Sequence, residues 1–266
     1  MEPITIAAFY KFATIEDVEA LKSRLAPLCR ANAIRGTILL ASEGINATVS
    51  GTQTAIERLL GELKADSRFA DLAPKLSRFD RHPFDRLKVK VKPEILTFGV
   101  PEADPCRRVG AYVAPEQWNA LISEPDVLLI DTRNDYEYRV GTFEGAVDPA
   151  TRSFHEFPAY VAANLDPARH KRIAMFCTGG IRCEKATAYM LMKGFREVYH
   201  LEGGILAYLE KIPAESSLWR GECFVFDDRV AVGHGVEPGR TRLCLTCGQP
   251  VLSGKDACSC REGKAA

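Results

Sequence analysis

Two hydrophobic periods alternate through the first part of the chain. Residues 4–10 (Ile-Thr-Ile-Ala-Ala-Phe-Tyr) form a near-continuous apolar run, which predicts a buried strand. From Thr14 to Arg30 the spacing of Val18, Leu21, Leu25 and Leu28 is helical, with Thr14 as a candidate cap and Asp17 three residues on. Residues 35–41 and 45–50 read as two strands joined by a short Ser42-Glu43-Gly44 turn. A second amphipathic helix over Thr52–Lys64 carries Ile56, Leu59, Leu60 and Leu63, and a further strand is expected within 75–80. The order strand, helix, strand, strand, helix, strand predicts a split ferredoxin-like α+β domain over residues 1–98.

Beyond a linker over 99–113, marked by Pro101, Pro105 and Gly110, the pattern changes. Residues 115–123 suggest a short helix. Val127–Asp131 and Ile173–Phe176 are wholly apolar until they end, as strands buried on both faces of a parallel sheet are. A Gly-rich turn separates the second from a helix running from about Cys183 to Lys193, stopped by Gly194. Val198–Leu201 is a further strand, and Gly203-Gly204 opens another helix. Strands alternating with helices predict a parallel-sheet α/β domain over 114–218. Residues 219–266 lose periodicity and become rich in Gly and Cys, a small C-terminal extension.

Charge changes this picture locally. The 266 residues carry 35 Lys plus Arg and 35 Asp plus Glu, a formal net charge of zero, which excludes a uniformly basic nucleic-acid binder. Residues 75–92 nevertheless hold seven Lys or Arg against Asp80 and Asp85, a local excess of five positive charges. Within the basic segment 81–92, Lys88, Lys90 and Lys92 alternate with Val89 and Val91, so a strand would place all three ammonium groups on one face. Such a row reads either as a solvated face or as a phosphate-binding one. No apolar run approaches the roughly 20 residues that span a bilayer, and Met1-Glu2-Pro3-Ile4 has none of the basic and apolar regions of a secretory signal. The expected location is the cytoplasm, with no membrane association.

Nine cysteines are the unusual feature of the composition. In a reducing compartment they more often serve metals or catalysis than disulfides, and an odd number leaves at least one unpaired. Cys177-Thr178-Gly179-Gly180-Ile181-Arg182 lies between an apolar strand and a helix, where free backbone N–H groups and the helix dipole favour an anion. Two glycines let several N–H groups converge, and the same field favours Cys177 as the nucleophilic thiolate, with Arg182 adding positive charge at the rim. A cysteine packed beside a glycine turn is the plainer alternative. Cys183 is either a packing residue or a resolving thiol.

Cys244-Leu245-Thr246-Cys247 has the two-residue spacing of a zinc knuckle, and Cys258-Ser259-Cys260 follows. Four thiolates could bind one structural zinc. The second pair is closer than the usual spacing, and a redox dithiol, a disulfide or an unstructured tail are the alternatives. Cys29, Cys106 and Cys223 show no partner pattern, and His234, between Gly233 and Gly235, reads as a loop residue.

Asp131-Thr132-Arg133, Glu137, Gly141, Glu144-Gly145-Ala146 and the loop Cys177–Arg182 resemble a rhodanese domain, with Thr142 standing where rhodaneses often have His. In that family the loop cysteine accepts a persulfide sulfur. Related phosphatases carry one more loop residue, so the Cys-x4-Arg spacing argues against phosphatase activity. Residues 36–51 (Gly-Thr-Ile-Leu-Leu-Ala-Ser-Glu-Gly-Ile-Asn-Ala-Thr-Val-Ser-Gly), 88–95 (Lys-Val-Lys-Val-Lys-Pro-Glu-Ile) and 224–230 (Phe-Val-Phe-Asp-Asp-Arg-Val) extend the resemblance over nearly the whole chain, to the rhodanese-domain tRNA uridine(34) hydroxylases.

That resemblance implies an oxidoreductase that hydroxylates the wobble uridine of tRNA at C5, with molecular oxygen as co-substrate and Cys177 essential. The residues themselves name no electron donor: there is no dinucleotide fingerprint and no evident facial iron triad. With tRNA as partner, and DNA not expected, Arg86, Lys88, Lys90 and Lys92 are the candidate RNA contacts. The alternative is a persulfide-carrying sulfurtransferase serving tRNA thiolation. The pattern leaves the oligomeric state open.

Overall fold

A computed structural model describes residues 3–252 together with Cys258 and Cys260. The chain divides into two compact units, Met1–Thr97 and Phe98–Ala266.

In the first unit, β1 (Ile4–Phe12), α1 (Val18–Ala31), β2 (Arg35–Ala41), β3 (Gly44–Gly51), α2 (Gln53–Lys64) and β4 (Lys75–Phe79) follow the expected ferredoxin-like order. The strands lie β4-β1-β3-β2, and β5 (Leu87–Val91) extends the sheet by pairing parallel to β2. Both helices pack on one face, where Leu21, Leu25, Ile56, Leu59 and Leu63 meet Phe9, Ile38, Leu40, Ile45 and Val49. Leu87, Val89 and Val91 pack against this core while Lys88 and Lys90 are exposed on the other side of the strand, the alternation expected of a half-buried strand.

Thr14 does not cap α1. The Ala13 and Ile15 amides donate to the Glu43 and Ser42 carbonyls, which keeps this stretch extended. The helix therefore starts three residues later, after Asp17, with no side-chain cap bond. Thr52 does cap α2, accepting from the Ala55 amide at 3.2 Å.

The second unit contains β6 (Ala111–Val113), α3 (Pro115–Ile122), β7 (Val127–Asp131), α4 (Asp135–Val140), β8 (Gly141–Phe143), α5 (Phe157–Asn164), β9 (Arg172–Phe176), α6 (Ile181–Met192), β10 (Glu197–Leu201) and α7 (Gly204–Lys211). Its four-stranded sheet runs β6-β10-β9-β7, parallel throughout. Two helices escaped the hydrophobic pattern. Helix α4 has six residues, too few to establish a period, and α5 reads Phe-Pro-Ala-Tyr-Val-Ala-Ala-Asn, with apolar residues all round.

The segment after α7 is part of this unit. β11 (Trp219–Gly221) pairs antiparallel with β8, and β12 (Cys223–Phe224) pairs with β13 (Ala231–Val232). Trp219 enters the aromatic core, where the Phe143 ring meets Phe176, Tyr208 and Trp219 edge-on at centroid distances of 4.9, 4.7 and 5.1 Å. A last hairpin pairs β14 (Arg242–Leu243) with β15 (Pro250–Val251). At the other end, Phe98 is buried against Phe154 and Tyr189.

Two glycines of the first unit have opposite tolerances. At Gly36, φ is +115° and a Cβ would sit 2.3 Å from the Thr48 carbonyl oxygen across the β2–β3 pair. Gly36→Ala should cost at least about 1–3 kcal/mol from the backbone conformation alone. Gly61, exposed within α2, has nothing within 4 Å of its would-be Cβ, and Gly61→Ala should add about 0.8–1 kcal/mol. Urea unfolding of the two variants should move the midpoint in opposite directions.

Candidate active site

The loop Cys177–Arg182 joins the end of β9 to the start of α6, at the carboxyl edge of the parallel sheet. Two sets of hydrogen bonds hold it. Thr132, just past β7, donates both its amide and its hydroxyl to the Phe176 carbonyl, each at 3.0 Å. The first turn of α7 reaches in from the other side, the Ile205 amide donating to the Cys177 carbonyl at 3.0 Å and the Leu206 amide to that of Thr178 at 3.1 Å. Gly180, at φ +104°, turns the chain into α6. This close approach requires Gly204, where a Cβ would lie 2.5 Å from the Cys177 carbonyl oxygen and 2.8 Å from the Gly180 amide.

Inside this frame Cys177 is fully buried. The Gly180 amide donates to its Sγ at 3.1 Å, the Cys183 amide is a second backbone donor, and the Cys183 side chain hydrogen-bonds it as well. Burial by itself raises the Cys177 pKa. The Cys183 thiol, the Arg182 charge and the two amides outweigh it and bring Cys177 down to about 5. Cys183 moves the other way: burial and the adjacent Cys177 sulfur push it well above the ordinary thiol range. The two thiols shift in opposite directions, so the loop donors favour the negative charge on Cys177 and leave the proton with Cys183. The Thr132 hydroxyl, 3.5 Å from Cys183 Sγ, already donates to Phe176 and can only accept from Cys183. The single S–H of Cys183 thus has two acceptors, Cys177 and Thr132.

Arg182 is not at the rim. It is buried and binds Glu137 bidentately, Nη1 to Oε2 at 2.6 Å and Nη2 to Oε1 at 2.8 Å. A guanidinium turned inward to a carboxylate cannot also project into solvent, which is why the rim position is not adopted. Burial would raise the Glu137 carboxyl, but Arg182, Arg133 and the Asn134 amide hold it below the usual carboxylate range. Thr178 Oγ1 lies 3.4 Å from both Glu137 Oε1 and Arg182 Nη2, so the pair is tied to the loop. Beneath it, Arg133 and Asp131 form a second fully buried pair at 2.6 Å. Arg133 also donates to the Gly141 carbonyl at 2.5 Å, and Thr142 Oγ1 donates to Asp131 Oδ2 at 3.1 Å. Thr142 accordingly fills its position as a hydrogen-bond donor to the buried carboxylate.

The six candidate loop residues and Cys183 are therefore in one place. Glu137 and Gly204 were not among the sequence candidates for the site. Gly203-Gly204 was legible as a helix start, but its contact with the loop carbonyls depends on a neighbour in space. Arg86, Lys88, Lys90 and Lys92 lie in the first unit, all exposed. Cys244, Cys247, Cys258 and Cys260 cluster elsewhere in the second unit, with their four Sγ atoms within 4.8 Å of one another. No helix among the described residues is long and apolar enough to cross a membrane.

A parallel sheet whose central strand delivers a buried cysteine into a loop of backbone donors is the arrangement of a rhodanese-type domain. The family described as rhodanese-like domain matches residues 114–211, and the UPF0176 acylphosphatase-like domain matches residues 4–95. A curated relative from Picosynechococcus sp., named tRNA uridine(34) hydroxylase, is 55% identical over 251 residues, which is 94% of this chain and 84% of its own. The chain belongs to the tRNA uridine(34) hydroxylase family. Solved structures similar to parts of it include the rhodanese-like domain of an Anabaena sp. protein, 20% identical with a TM-score of 0.35 over 41% of this chain and 78% of its own. Another is a Rhodopseudomonas palustris protein of unknown function described as a possible tyrosine phosphatase, 23% identical with a TM-score of 0.34 over 44% of this chain and 93% of its own.

The ultraviolet absorbance of thiolate, taken as the difference between wild type and Cys177→Ser, should titrate near pH 5. In Cys183→Ala, which removes the neutral donor, the inflection should move toward the ordinary thiol value of about 8.5. Cys183→Ser, which keeps a donor, should restore part of the shift.

Proposed function

We propose that this protein is a cytoplasmic enzyme that hydroxylates C5 of uridine 34, the wobble base of tRNA, with molecular oxygen as co-substrate. The observation that carries the reading is Cys177, buried in a loop whose donors favour its thiolate, in a chain 55% identical over 94% of its length to a tRNA uridine(34) hydroxylase. A thiolate can add to C6 of uracil. The S–C6 bond forms as the C5–C6 π electrons move toward the C4 carbonyl, and C5 becomes nucleophilic. C5 then takes one oxygen atom from an activated oxygen species. Loss of the C5 proton and departure of the Cys177 thiolate restore the ring double bond. The second oxygen atom leaves as water, which requires two electrons and two protons from an external reductant.

The loop residues have separate roles in this scheme. The Gly180 and Cys183 amides stabilise the sulfur charge before attack and after elimination. Cys183 is a positioning residue whose proton turns to Thr132 once Cys177 Sγ is bonded to carbon and has become a poor acceptor. Thr178, Gly179 and Ile181 form the half-buried outer rim that the flipped base would approach. Hydroxylation of tRNA should be lost in Cys177→Ser. Mass spectrometry of tRNA nucleosides checks this: wild type should add one oxygen to wobble uridine, and full hydroxylation by the variant would overturn the mechanism.

A second reading has one observation in its favour. The same two amides on Cys177 Sγ would cradle the terminal sulfur of a persulfide. A sulfurtransferase serving tRNA thiolation would exchange oxygen for sulfur in the nucleoside, a mass change distinct from the gain of one oxygen.

Substrate contact is assigned to Arg86, Lys88, Lys90 and Lys92. Lys88 and Lys90 project from β5 on the sheet face away from the helices, and Lys92 follows them, also exposed. Phosphate contact by such a row is strongly salt-dependent. The triple replacement of Lys88, Lys90 and Lys92 by Glu should weaken tRNA binding. It should also flatten the plot of log affinity against log salt by about 2–3 units, at roughly 0.7–0.9 per lost phosphate contact. Unchanged binding would remove the assignment.

A further inference from the structure

The thiols of Cys244, Cys247, Cys258 and Cys260 take no part in the loop chemistry, yet they converge. All four Sγ atoms lie within 4.8 Å of one another, with Cys244 3.6 Å from Cys260 and Cys247 3.5 Å from Cys258. Disulfide sulfurs lie about 2.05 Å apart, so these pairs are not bonded, and all four are free. Four sulfurs each about 2.3 Å from a central ion form a tetrahedron with edges of roughly 3.8 Å. The observed separations bracket that value. They leave room for one ion and none for an iron–sulfur cluster, whose irons and sulfides must fit between the ligands.

The backbone is shaped for the same purpose. Cys244 and Cys247 sit in the turn between β14 and β15, closed by the Cys244 amide on the Gln249 carbonyl at 2.9 Å and the Gly248 amide on the Cys244 carbonyl at 2.8 Å. Gly248, at φ +71°, supplies the left-handed residue this turn needs. The Thr246 amide points at Cys244 Sγ, 3.4 Å away. Backbone donors aimed at a ligand sulfur orient it and stabilise its charge. Cys244, Cys258 and Val251 are buried together, with Cys260 packed against them. One valine and three cysteines bury too little apolar surface to hold two chain segments together. A bound ion supplies that energy directly.

We propose that Cys244, Cys247, Cys258 and Cys260 bind a single zinc ion as a closed tetrathiolate site. Four soft thiolates in tetrahedral disposition select zinc over harder divalent ions, and four protein ligands leave no position for substrate, so the ion is structural. It ties Cys258 and Cys260 to the β14–β15 hairpin. That hairpin is continuous with Arg240 and Thr241, whose amides both donate to the Glu222 carboxylate at 2.8 and 2.9 Å. Glu222 in turn donates its amide to the Val140 carbonyl, beside the Gly141 that receives Arg133. The site thus anchors the segment lying against the floor of the rhodanese unit.

Metal analysis of the full chain purified without chelator tests the proposal independently of hydroxylation. Zinc should be present at a stoichiometry near one per chain. It should be lost in Cys247→Ser and in Cys260→Ser, and kept in Cys106→Ser, a control outside the cluster. Where a ligand variant fails to fold, the wild-type chain exchanged with cobalt(II) alone should show the visible absorption of a tetrahedral tetrathiolate complex. Zinc-free protein, disulfides among the four cysteines in non-reducing peptide maps, or iron accompanied by acid-labile sulfide would each overturn it.

Discussion

A sulfur anion with no access to water must be solvated by the protein itself, and the architecture of the second unit follows from that requirement. Taking charge out of water is costly unless oriented partners replace the solvent. At Cys177 the replacements are two amides, one neutral thiol and the nearby Arg182. Arg182 is itself buried and needs Glu137, and Glu137 stands above a second buried pair, Arg133 with Asp131. Each charge is thus compensated by the next one inward, down to the Gly141 carbonyl and the Thr142 hydroxyl. Removing one partner of such a pair typically costs about 3–5 kcal/mol. The loop is consequently only as rigid as the polar stack behind it.

How much of this was legible depended on range. The ferredoxin-like order, the parallel-sheet strands and the Cys177 loop follow from hydrophobic period, glycine placement and the strand-to-helix junction, all local signals. The burial of Arg182 was not legible, because it depends on Glu137, 45 positions away in sequence. Gly204 carried a local meaning as a helix start, and its second meaning appears only when the Cys177 carbonyl lies 2.5 Å from its missing Cβ. Residues 219–232 have no regular period, yet Trp219, Cys223, Val225 and Val232 enter the same core as Trp118 and Phe176. A lack of period indicated irregular backbone and said nothing about whether that backbone was packed. Thr14 shows the converse error, where a sound capping signal lost to two amide bonds with a neighbouring turn.

The cysteines illustrate how one side chain acquires different chemistry from its surroundings. Cys29 and Cys223 are buried without compensating donors, and burial pushes their thiols up to about 11 and about 12. A thiol raised in this way is disfavoured as the reactive thiolate. Cys177 is buried as deeply, but the loop's converging donors reverse the sign of the shift. Cys183, in the first turn of α6, is pushed the other way by burial and by its neighbour's sulfur. Depth alone therefore does not separate a structural cysteine from a reactive one, whereas the direction of nearby N–H and S–H groups does.

Among the described residues, β5 is the last strand on one side of the first sheet. An open β edge offers unpaired backbone groups to any other extended chain, and lysines are a common protection against such pairing. The row Lys88, Lys90 and Lys92 provides such protection along this edge. Neutralising it would remove the proposed RNA contact and at the same time open this edge to self-association. A loss of activity after such a change would then carry two causes, separable by whether the protein remains monodisperse.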